Sequence, residues 1–68
     1  MPLVTQPNLA DPDGVYEALV AAHQSLGPEA SAALNARLVL VLANHIGDAA
    51  VIRQAIAVAR QRSVEQQR

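Results

Sequence analysis

The chain has no cysteine, no lysine, no phenylalanine and no tryptophan, and its one aromatic residue is Tyr16. Without cysteine there is neither a disulfide to staple a small fold nor a thiolate for metal or redox chemistry. Without large aromatic rings, which carry the greatest buried area per side chain, a core must be assembled from Ala, Val and Leu. At 68 residues the domain is of a size that buries only about 60% of its unfolded surface and is marginal by itself. With disulfides excluded, association is the remedy that this composition leaves.

Charge is also scarce. Five arginines against six acids give a net charge of −1, so no basic field draws a polyanion and nucleic acid is not an expected partner. No apolar stretch approaches the roughly 20 residues needed to span a bilayer, so no membrane role is expected. Met1-Pro2-Leu3-Val4 lacks the basic and long apolar regions of a secretory signal, which makes the cytoplasm the expected location.

What is present is helix punctuation. Pro2 and Pro7 forbid a regular helix and favour extended backbone, so residues 1–10 read as an arm carrying Leu3, Val4 and Leu9. Asp11-Pro12-Asp13 supplies an N-cap, a proline at the first helical position and an acid in the first turn. The spacing predicts a first helix over 12–26 with Val15, Leu19, Ala22 and Leu26 on one face. Gly27 is expected to end it in a positive-φ cap, and Pro28-Glu29 starts a second helix over 28–46. So short a link predicts an antiparallel hairpin, with His45 over Val15 and Tyr16. Gly47 stops the second helix and Asp48 caps a third over 49–62, whose apolar face is Ile52, Ala55, Ile56 and Ala59. Residues 63–68 read as a polar tail that demands no burial. The expectation is an all-α, three-helix domain over 11–62 with an extended N-terminal arm.

The second helix has more apolar surface than so small a domain can use. Ser31, Leu34, Leu38, Val41, Leu42 and His45 share a side wide enough to pack on the other two helices. The opposite side is not polar. It carries Ala32, Ala33, Ala36, Leu40 and Ala43, interrupted by Arg37 and Asn44, which sit about 20° apart in azimuth. Small residues permit close approach of another helix, and an arginine among them offers a planar fork to a carboxylate at an interface. The alternative is that Arg37 reaches water over alanines that serve only as good helix formers. The candidate partner interface is therefore Leu3, Val4, Leu9, Ala33, Ala36, Arg37, Leu40 and Asn44.

No residue set spells out a reaction. Asp11, Asp13, Glu29 and Asp48 coincide with helix starts, which leaves Glu17 and Glu65, too few for a carboxylate pair in acid and base roles. His23 and His45 do not converge, and a metal site needs three or four ligands. No phosphate-binding loop or nucleophile elbow is present, so no enzyme, catalytic residue, metal or cofactor is expected. Ile46-Gly47-Asp48 followed by Arg53, Gln54 and Arg60 has a superficial likeness to a helix-turn-helix, but the helix before the turn is long and apolar and there is no wider basic footprint.

The pattern formed by Asp11-Pro12-Asp13, Tyr16-Glu17-Ala18-Leu19, His23, Asn35-Ala36-Arg37-Leu38, Leu40, Leu42-Ala43-Asn44 and Ile46-Gly47-Asp48 resembles a family of small proteobacterial proteins catalogued as a domain of unknown function. The resemblance covers roughly residues 9–60. It implies an accessory protein encoded near flavin-dependent hydroxylases and other enzymes of aromatic catabolism, and it carries no catalytic residue. Residues and resemblance together point to a non-catalytic module whose partner is a protein, either a larger enzyme or a second copy in a homodimeric bundle.

Overall fold

The computed structural model describes residues 2–66. Three helices follow an arm without regular structure: α1 (Pro12–His23), α2 (Pro28–Ile46) and α3 (Ala49–Gln66). The fold is all-α, with no strand among the described residues. The start signals act as their chemistry dictates. Asp11 accepts from the Gly14 amide at 3.0 Å, and Pro12 and Pro28 occupy first-turn positions of α1 and α2, where no amide is needed. Gly47 closes α2 at φ 71, its amide bonding the Ala43 carbonyl at 2.9 Å. Asp48 then caps α3, its Oδ1 accepting from the amides of Ala50 at 3.0 Å and Val51 at 3.4 Å.

Three boundaries and contacts differ from expectation. The first helix ends at His23, not at residue 26, and the residue at positive φ is Ser25 (φ 66) rather than Gly27. Gly27 is extended at φ −73, ψ 174, because the ring of Pro28 disfavours helical geometry in the residue before it. With Gly27 committed to Pro28, the chain must reverse two residues earlier. The hairpin does not close either. Packing between α1 and α2 is slight, and Tyr16 is 69% exposed rather than covered by His45. At the other end, α3 runs on through Ser63 to Gln66. The Ser63 hydroxyl donates to the Ala59 carbonyl at 2.9 Å and the Gln61 amide to Glu65 at 3.3 Å, giving this polar stretch partners one turn away. Residues 67–68 of the expected tail, and residue 1 of the arm, lie outside the described residues.

The most developed helix contact is between α2 and α3, and it centres on the corner at Gly47-Asp48. Val51, in the first turn of α3, is the one buried apolar residue described, at 5% exposure. Its neighbourhood is built from Val39, Leu42, Ala43 and Ile46 of α2. Of the side expected to pack, Leu42 takes part and Ser31, Leu34 and Leu38 are half-buried, but Val41 and His45 are exposed, because a two-residue turn delivers α3 to the flank of α2 that holds Ala43 and Ile46. The expected face of α3 does line the same groove, through Ile52, Ala55, Ile56 and Ala59, although Ile56 stays 59% exposed.

Candidate interaction surface

Helical geometry sends consecutive side chains off at about 100° intervals, so Val39, Leu40, Val41 and Leu42 point in four different directions. All four are more than half exposed. No face of the middle of α2 is fully covered by the chain itself. The apolar face of α1 is likewise open, since Val15, Leu19 and Leu26 all remain exposed.

Two apolar grooves flank α2. The first, of about 320 Å³, lies between α2 and α3 and is lined by the residues around Val51 with Leu3 at its edge. The second, of about 500 Å³, runs along the other side of α2, where Leu26 from the connection faces Ala30, Ala33, Leu34, Arg37, Leu38 and Val41.

The eight residues expected at an interface therefore divide. Leu3 belongs to the first groove. It is half-buried, and its amide donates to Gln54 Oε1 on α3 at 3.2 Å. Val4 follows it along α3, beside Val58 and Arg62, whereas Leu9 is exposed. Ala33 and Arg37 belong to the second groove. Ala36, Leu40 and Asn44 are exposed, and their azimuths continue the same stripe of α2. Sequence reasoning missed the α2/α3 groove, although the shortness of the Gly47-Asp48 turn was a signal that α3 is held close to Ala43 and Ile46.

Two of the acids are committed to holding the backbone. The carboxylates of Asp11 and Asp48 accept helix-start amides. His23 Nε2 and Asn35 Oδ1 are 3.0 Å apart, so Asn35 holds a histidine of the preceding helix. Among the described residues no group of three or more His, Cys, Asp or Glu is arranged to hold a metal ion. No helix among them is long and apolar enough to cross a membrane.

Searches among curated proteins and solved structures return no match. A family model does match, over a stretch that takes in Leu3 as well as the capped helices. Described as a protein of unknown function, DUF2783, it covers residues 3–61, and the chain belongs to that family.

Proposed function

We propose that the protein is a non-catalytic interaction module, a small accessory subunit that binds and stabilises a larger protein and completes its own fold in doing so. One observation carries this reading. The chain exposes 6045 Å², whereas a folded monomer of 7.2 kDa exposes roughly 4,100 Å². The excess of roughly 1,900 Å² exceeds the ~800 Å² that each partner contributes to an interface of standard size. Expansion agrees with it: the radius of gyration is 13.6 Å, against about 11 Å for a compact chain of this length. Val39, Leu40, Val41, Leu42 and Ile46 are large apolar side chains left exposed on α2, where a lone domain would have its core.

The accessory proteins that the sequence resembles make a larger enzyme the first client to seek, beginning with flavin-dependent oxidoreductases of aromatic catabolism. The test combines sizing of the purified chain with affinity capture of the tagged chain from lysate and mass spectrometry. Recovery of a defined enzyme in fixed ratio, with the chain resisting urea better in its presence, is the expected result. A chain that stays a folded monomer and captures nothing overturns the reading.

A further inference from the structure

We infer that the second groove of α2 is occupied by the α2 of another copy of this chain, the two helices lying antiparallel about a two-fold axis at Ala33. This rests on the reading of the protein as an interaction module and names its first partner.

The argument begins with charge. Glu29 and Arg37 are the acid and the arginine of α2, and they stand four residues to either side of Ala33. At about 1.5 Å rise per residue they are about 12 Å apart along one helix, too far to pair within it. Neither has an ion-pair or hydrogen-bonding partner among the described residues. In an antiparallel pair centred on Ala33, Glu29 faces Arg37 of the second copy and Arg37 faces Glu29, so that one helix satisfies the other twice. This reciprocity is what a two-fold contact requires, residue i meeting j and j meeting i. A parallel pair instead sets Glu29 against Glu29 and Arg37 against Arg37, which repels.

Shape agrees with charge. Ala30, Ala33 and Ala36 lie along the stripe and allow axes to approach toward the lower end of the 8–10 Å range for packed helices. Leu40, seven residues along from Ala33 and on the same side of α2, is 69% exposed, and Leu26 lines the ~500 Å³ groove, so apolar surface flanks the axis as well as alanine. The roughly 1,900 Å² of excess surface is enough for a standard contact of ~800 Å² per chain and leaves the α2/α3 groove open to a client.

The test is charge exchange in the full-length chain, read by sedimentation over a concentration series with far-ultraviolet circular dichroism as the fold control. Wild type is expected to be a dimer. Glu29→Arg and Arg37→Glu, each alone, should raise the dimer dissociation constant at least about tenfold, because like charges then meet across the axis. Mixing the two singly substituted chains should restore association as a heterodimer, and the double variant Glu29→Arg/Arg37→Glu should dimerise like wild type. Restoration also shows that the single variants had folded. Dimers indifferent to all three changes overturn the proposed register. A wild-type monomer that still captures a client overturns self-association while leaving the module reading in place, and a folded monomer that captures no client overturns both.

Discussion

His23 Nε2 stands 3.0 Å from Asn35 Oδ1, and among the described residues this is the side-chain hydrogen bond that ties α1 to α2. Asn35 lies about two fifths of the way along α2, so the bond fixes the last turn of α1 against the flank of its neighbour where packing between the two is slight. A double-mutant cycle on His23→Ala and Asn35→Ala should give a coupling of about 0.5–1 kcal/mol, the range for an exposed neutral hydrogen bond, in urea unfolding at fixed protein concentration. Additive losses would show that α1 is held by something else.

Asp48 secures the other junction. Asp48→Ala removes the acceptor from the amides of Ala50 and Val51 and should cost about 1 kcal/mol, while Asp48→Asn, which keeps an accepting oxygen, should cost less. The comparison is the shift in urea midpoint of the two variants. Equal losses would mean that the carboxylate charge, not the cap, matters.

The two connecting glycines differ in what they require. Gly47 sits at φ 71, so Gly47→Ala should destabilise by about 1 kcal/mol. Gly27 is extended and a Cβ there meets nothing within 4 Å, so Gly27→Ala should be neutral or stabilising by about 0.4–1 kcal/mol, through lost freedom in the unfolded chain. Ser25→Gly should be tolerated without loss, since Ser25 already holds φ 66. Thermal melts of the three variants check the order, and a loss at Gly27 equal to that at Gly47 would contradict the geometry.

The arm is predicted to be part of the domain near its start and free beyond it. Leu3→Ala removes a half-buried side chain from the α2/α3 groove and should cost about 1 kcal/mol, whereas Leu9→Ala, at an exposed site, should change stability by no more than about 0.5 kcal/mol. Proteolysis rates of the two variants should separate in the same order. If Leu9 proves the costlier residue, the arm is seated elsewhere.

Wherever a local rule decides the outcome, the fold is legible from the chain. Asp11, Pro12, Pro28, Gly47 and Asp48 each act within one turn of their own position, and the face of α3 that lines the groove follows from period alone. The misses share a different cause. The reversal at Ser25 follows from a demand that Pro28 makes on Gly27, and the choice of the Val39–Ile46 flank for packing follows from how short a turn precedes α3. The docking of Leu3 on Gln54 spans 51 residues of sequence, beyond any local pattern. At the candidate surface, the small-residue stripe around Arg37 was visible because α2 is apolar all round. Its separation from the arm residues required knowing on which side of α2 the third helix lies.

Val51 carries a consequence for the life of the protein in a cell. With one apolar side chain buried among the described residues, helix amides away from that corner have little to hold them closed, and local opening should take little free energy. A copy without a partner is then open to proteases, and degradation follows the population of open forms. The amount of this protein would therefore follow the supply of whatever covers α2. Expressed in excess, it should be cleared down to a stoichiometric remainder, and the half-life of the chain should lengthen in step with the concentration of its partner.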